Sequence, residues 1–339
     1  MMSHLKKLIL YILLVIVFIS IILLLLSIRK NPDKITYGVS FNTPYARELG
    51  LDWKKVYIAI LDDLKVKHLR LAAQWTMIEP QNNKFNFKEL DFQINEAEKR
   101  NADVIFGVGR RLPRWPECHV PEWAKTLSWE EQKKEILKMI SVVVERYKDN
   151  DAIIYWQVEN EPFLTVFAKQ YCGDLDKEFL AEEIALVKRL DPTRPILVTD
   201  SGNLGTWAGA YKSGDVFGTS VYVYFWNPEI GPFKSILPPA YYRIKSNIMR
   251  LMYGQKRTLI IELSAEPWLL QPVIDTPMET QLERMNIEKF GEIIKFAKDT
   301  RFDTQYLWGA EWWYWLKERG DESFWIRAKE LYKSKESKY

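Results

Sequence analysis

Residues 155–162 read YWQVENEP and residues 258–268 read TLIIELSAEPW. Each is a short apolar, β-branched and aromatic run that ends against a carboxylate, Glu161 behind Asn160 in the first and Glu262 in the second. Such a run, four to eight residues long, reads as a buried strand. Working outward gives the candidate strands Thr36–Phe41, Lys67–Ala72, Asp103–Val108, Ile153–Val158, Pro195–Asp200, Asp215–Tyr222, Thr258–Glu262 and Gln305–Ala310. Between them lie helical patterns. Trp53, Tyr57, Ile60, Leu61 and Leu64 recur on one helix face, and Trp129–Tyr147, Phe179–Leu190, Tyr241–Met252 and Leu282–Phe296 read the same way.

Eight strands alternating with helices imply parallel pairing through right-handed crossovers, an α/β chain closing as a (β/α)8 TIM barrel. A doubly wound open sheet would carry a Gly-rich turn after its first strand, and GVSFNTPY at residues 38–45 is not one. No compositional break interrupts residues 36–332, which read as one barrel. Residues 31–35 form a hinge before it and 333–339 a charged tail. In a barrel of this kind the chemistry sits at the mouth formed by the strand C-termini.

Ahead of the barrel, residues 8–27 (LILYILLVIVFISIILLLLS) form an uncharged run of 20 residues, enough at ~1.5 Å per residue to cross a ~30 Å hydrocarbon core. A cleaved signal would have a shorter apolar region and small residues at its exit; this run leaves through Ile28-Arg29-Lys30. The reading is a stub and signal anchor over residues 1–30, with the lipid bilayer as partner through residues 8–27. The barrel would be single-pass anchored at the cell membrane, on the extracytoplasmic side, although positive charge is nearly balanced across the run. The formal net charge of +3 belongs to this segment. Residues 1–30 hold Lys6, Lys7, Arg29 and Lys30 and no acid, leaving 44 of the 48 basic residues against 45 acidic ones, so nothing suggests nucleic acid.

With only Cys118, Cys172, His4, His68 and His119, no metal-ligand spacing exists, and no nucleophile elbow accompanies the few histidines. The chemistry therefore falls to the carboxylates. Glycoside hydrolysis needs such a pair, one to protonate the leaving oxygen and one to attack or to activate water, and no metal or organic cofactor. Glu262 stands at the strand end, whereas Glu266, four residues later, reads as a loop residue contacting substrate or bracing the site; Glu311 is a further, weaker candidate. Glu159 lies two residues before Glu161, close enough to raise its pKa by like-charge repulsion, or else paired with Arg70 or an arginine after the third strand.

At these residues the chain resembles clan A of the glycoside hydrolases, retaining enzymes that include families 5, 39 and 42. In that clan an Asn-Glu pair closes strand four and a Glu closes strand seven. The resemblance extends to Arg70 in HLRLAAQW, to WTMIEPQNNKFNFKELD from Trp75, which is similar to families 10 and 42, to LPRWP at residues 112–116, to Tyr222 closing DVFGTSVY, and to LWGAEWWYW from Leu307. It implies Glu161 as acid/base and Glu262 as nucleophile, Arg70 and Tyr222 supporting Glu262, and Asn160 on the sugar 2-hydroxyl. The partner would be an oligo- or polysaccharide with β-linkages, bound through Trp75, Trp115, Trp268, Trp308 and Trp312, because sugar C–H faces pack on indole. Trp53, Trp129 and Trp156 read as core. A transglycosidase would look alike, and a membrane-anchored carbohydrate-binding barrel without activity is the alternative.

Cys118 and Cys172 fall in loops after adjacent strands, both opening on the mouth. An exported domain would permit a disulfide closing a loop of 54 residues; a cytoplasmic one would keep two thiols.

Overall fold

The computed structural model describes residues 2–166, 169–227, 229–269 and 271–333. Its strands are β1 (Thr36–Ser40), β2 (His68–Ala72), β3 (Asp103–Val108), β4 (Ile153–Val158), β5 (Ile196–Asp200), β6 (Val216–Val221), β7 (Tyr224–Asn227), β8 (Gly231–Lys234), β9 (Thr258–Ser264) and β10 (Thr304–Trp308). Eight of them close a parallel barrel in the order β1-β10-β9-β6-β5-β4-β3-β2, with helices between successive strands. This is the TIM barrel that the alternation of strand and helix patterns implies.

The eight barrel strands lie within two residues of their sequence expectation. The last one stops at Trp308 because Gly309, at φ 117°, turns the chain and Ala310 opens the helix Ala310–Lys317. A run read as one helix, Leu282–Phe296, is two: Met278–Arg284 and Ile287–Asp299, the second capped by Asn286, whose side chain accepts the Lys289 amide. Trp129–Tyr147 begins on a capping box formed by Ser128 and Glu131. The antiparallel β7–β8 hairpin is an addition that the sequence reading does not contain.

Two apolar layers hold the barrel. The larger lies between sheet and helices and includes Trp53 and Trp156. The smaller fills the barrel's inside with Ile105, Leu197, Val216, Leu259, Ile261 and Tyr306. Inward-facing residues alternate along each strand, so Leu259 and Ile261 would force the next residue outward. Against β6, Thr219 pairs with Ile260 but Ser220 pairs with Glu262, and β10 shows a matching shift. The extra residue in β9 is a bulge, and it re-aims Glu262 into the barrel.

Met2–Ser27 is one helix, and Lys6–Ser27 within it is long and apolar enough to cross a membrane. Its end is fastened to the barrel. Asn247 donates to the Leu26 and Ile28 carbonyls at 2.8 and 3.0 Å, Arg243 to Ser27 at 2.8 Å, and Arg29 to the Ser246 hydroxyl at 3.1 Å while lying over the Phe302 ring. Phe302 precedes β10, so the helix leaves from the end of the barrel opposite the mouth. Of the charged tail, only Lys333 lies among the described residues.

Candidate active site

Arg70 on β2 organises the mouth. Its guanidinium is buried and makes three hydrogen bonds: Nε to Gln157 Oε1 at 2.8 Å, Nη1 to Glu262 Oε1 at 2.7 Å, and Nη2 to Asn160 Oδ1 at 2.7 Å. Glu262 also accepts the Tyr222 hydroxyl at 3.0 Å. Four residues singled out in the sequence thus meet around one carboxylate, and two fixed donors aim it.

Glu161 sits beyond β4 at φ 44°, a left-handed conformation that costs a glutamate energy and signals a position held by its surroundings. Its amide donates to Thr199 Oγ1 at 2.8 Å, while its Oε1 is buried with no partner among the described residues. Burial pushes its carboxyl well above the ordinary range, and the charges of Glu262 and then Glu117 push the same way. The two glutamates therefore interact electrostatically, Glu262 paired with the Arg70 guanidinium and Glu161 without such a partner.

Of the places its spacing leaves open, Glu159 takes the one beside the arginines after β3, where the Arg110 charge acts on it. Its carboxylate accepts the backbone amides of Arg110 at 2.7 Å and Arg111 at 2.6 Å, with Glu183 beside it, and pairs with no guanidinium at Arg70. Gly109, at φ 123°, leaves it room, since a Cβ there would collide with the Glu159 carboxyl. The like charge acting on Glu161 comes instead from Glu262 and from Glu117, a residue the sequence reading did not single out. Glu117 follows Pro116 and pairs with Arg111 at 2.6 Å. Its only sequence signal is a carboxylate in the loop after the third strand.

Arg114, in the same loop, was also missed. It pairs with Glu266 at 2.5 Å and lies over the rings of Tyr45 and Trp308, at 3.5 and 4.3 Å from their centroids. Glu266 thus braces the mouth from the loop. Glu311 is fully buried behind it, one oxygen taking the Asn42 amide at 2.5 Å and the other without a partner among the described residues. A cavity of about 20 Å³ lies to one side of Arg70, bounded by it, Arg114 and Trp308.

The tryptophans divide. Trp308 and Trp268 both meet the Tyr222 ring edge-on, at 6.0 and 5.3 Å, and are partly exposed. Trp115 is exposed on the rim, packed on Tyr171 at 4.9 Å. Trp75 and Trp312 are not available to a sugar. Trp75 is fully buried, donates to Glu79 at 2.8 Å and packs on Trp123; Trp312 is fully buried, donates to Gln281 at 2.8 Å and packs on Phe324. Both lie in the first turn of short helices that turn them into the core, where each indole N–H finds a polar partner. Cys118 and Cys172 are bridged, their Cα atoms 5.4 Å apart, tying the loops after β3 and β4.

The barrel resembles glycoside hydrolases in three dimensions: GH5_18 of Bifidobacterium longum subsp. longum superposes with a TM-score of 0.56 over 81% of this chain and 69% of that one, at 12% identity, a likeness of fold alone. In sequence, β-galactosidase Pbg of Clostridium perfringens is 26% identical over 46% of this chain and 25% of its own length. β-Galactosidase LacA of Lactobacillus acidophilus is 24% identical over 34% and 20%. The chain thus spans about a quarter of the length of the curated relatives it matches. The sequence model of glycoside hydrolase family 42, described as β-galactosidase, matches residues 52–257, from the helix before β2 to the edge of β9, and by that match over more than half of its length the chain belongs to this family.

Proposed function

We propose that the chain is a retaining glycosidase that cleaves a terminal β-galactoside or a related β-linked glycan. The observation that carries this reading is the pairing of an anchored carboxylate, Glu262 on Arg70 and Tyr222, with a buried one, Glu161, whose Oε1 has no partner among the described residues and whose carboxyl burial pushes well above the ordinary range. Glu161 gives its proton to the glycosidic oxygen as Glu262 attacks the anomeric carbon, forming a glycosyl ester and releasing the alcohol. The Glu161 carboxylate then takes a proton from water, whose oxygen attacks the same carbon; Glu262 leaves and the configuration is retained. A sugar hydroxyl in place of water gives transglycosylation by the same steps. Arg70 occupies the Asn160 oxygen, leaving its amide N–H for the sugar 2-hydroxyl. The carboxyls of this pair are expected about 5–5.5 Å apart.

The apolar helix serves in this reading as a retained anchor, with the mouth turned away from the bilayer. Fractionation should place the full chain in the membrane pellet with its N-terminus intact, and a mature N-terminus beyond residue 27 would make the helix a cleaved signal. For the chemistry, Glu262→Ala should abolish hydrolysis of an aryl β-galactoside, and azide should restore turnover with an inverted glycosyl azide as product. Full activity in that variant, or rescue by azide only in Glu266→Ala, would overturn the assignment. No turnover of any β-glycoside by the wild-type chain would favour a barrel that binds glycan without cleaving it.

A further inference from the structure

A second cavity of about 190 Å³, much larger than the one beside Arg70, lies under the β7–β8 hairpin and is lined by Phe225, Phe233, Trp268, Lys234, Arg284 and Lys289. It is connected to the candidate active site through its aromatic wall. Tyr222, which holds Glu262, meets Trp268 at 5.3 Å and Phe225 at 5.9 Å; Phe225 in turn meets Trp268 at 5.8 Å and stacks on Phe233 at 5.3 Å. A row of rings therefore leads from the nucleophile's partner to the outer cavity, and ring faces suit the C–H faces of sugars.

The polar side of the cavity is cationic, and its three cations are not equivalent. Lys234 is neutralised by Glu292 at 2.5 Å. Lys289 spends its ammonium on the Glu283 carbonyl at 2.6 Å, at the end of the Met278–Arg284 helix. Arg284 has only the neighbouring Glu283 carboxylate at 4.0 Å, and its guanidinium makes no hydrogen bond among the described residues. A largely covered guanidinium beside an aromatic wall is matched by a planar oxyanion that takes two of its N–H groups.

We propose that this cavity is an outer sugar subsite for a carboxylate-bearing unit, a uronic acid, of the same glycan whose β-galactoside linkage meets Glu161 and Glu262. The inference rests on the hydrolase reading for its substrate chain, but it is tested by binding alone. The inert Glu161→Gln full-length protein in detergent is titrated calorimetrically with a β-galactosyl oligosaccharide carrying a glucuronic acid, and with the same compound reduced at its carboxyl group.

The acid is expected to bind about tenfold more tightly or better at low salt, with the preference shrinking as salt rises. Adding Arg284→Gln should erase the preference and leave binding of the neutral compound in place, which also reports that the variant is folded; Arg284→Lys should restore part of it. Equal affinities for the two compounds, or a preference that survives Arg284→Gln, would overturn the subsite, as would failure of both compounds to bind. Failure of the hydrolase reading would look different, as a wild-type chain without turnover whose binding still favours the acid.

Discussion

The two ends of this barrel are built to opposite rules. The inner layer toward the floor consists of Ile105, Leu197, Val216, Leu259, Ile261 and Tyr306, buried and apolar. The mouth buries Arg70, Glu161, Glu262, Glu266 and Glu311, leaves oxygens of Glu161 and Glu311 unpartnered among the described residues, and holds Arg114, Glu117, Glu159 and Glu161 at positive φ. Buried unpaired carboxyls and left-handed glutamates lower stability, and a fold carries them where they serve the chemistry. The floor stabilises the barrel, and the mouth draws on that stability.

Substitutions can break that contrast or sharpen it. The largest expected effect is at Arg70. Arg70→Met removes three hydrogen bonds and strands a buried Glu262, so a stability loss of roughly 3–5 kcal/mol is expected in denaturant titrations, with turnover falling as well. If stability were unchanged, Arg70 would not be holding the mouth together. Next is the Cys118–Cys172 bridge, which closes 54 residues across two mouth loops. Replacing both with Ser should cost roughly 4 kcal/mol in the chain-entropy picture, measured the same way.

Glu311 gives a test by pH. Burial raises its carboxyl from 4.5 to about 7. An acid raised on folding favours the protonated state, so its contribution is complete below its unfolded pKa and is lost as pH rises through the folded one. Wild-type stability should therefore fall relative to Glu311→Gln between pH 4.5 and 7, by on the order of 3 kcal/mol. Parallel curves for the two proteins would show that the mouth tolerates this charge without loss. The smallest effect is expected at the floor: Ile105→Val should cost about 0.5–1.5 kcal/mol and leave kcat/KM unchanged, since it removes one methyl from the inner layer and keeps the β2–β3 pairing of Ile105 with Arg70. A large change in kcat/KM would mean that the two ends are coupled.

The same contrast decides how much was legible in the sequence. The floor and sheet follow from apolar runs of the right length, and the gathering of Arg70, Asn160 and Tyr222 near Glu262 is what the resemblance to clan A implies. What stayed hidden depends on geometry finer than a pattern. A bulge at Ile261, not the period-two alternation, brings Glu262 inward. Trp75 and Trp312 share the composition of a sugar platform but lie in the first turn of helices that turn them inward, so burial overrides position. Glu117 and Arg114 lie in an irregular loop with no periodicity to mark which way their side chains point, and Glu159 satisfies two loop amides that no spacing rule foretells.

The central claim is that Glu262 attacks sugar while Glu161 supplies the proton, and trapping the ester tests it most directly. The full-length protein would be incubated with a 2-deoxy-2-fluoro-β-galactosyl fluoride, which slows the second step, and digested for mass spectrometry. The account expects one added fluorogalactosyl group, carried by the peptide containing residues 258–264 and fragmenting to Glu262, with none in Glu262→Gln. A stoichiometric label on Glu266, Glu117 or Glu311, or one that persists in Glu262→Gln, would contradict it.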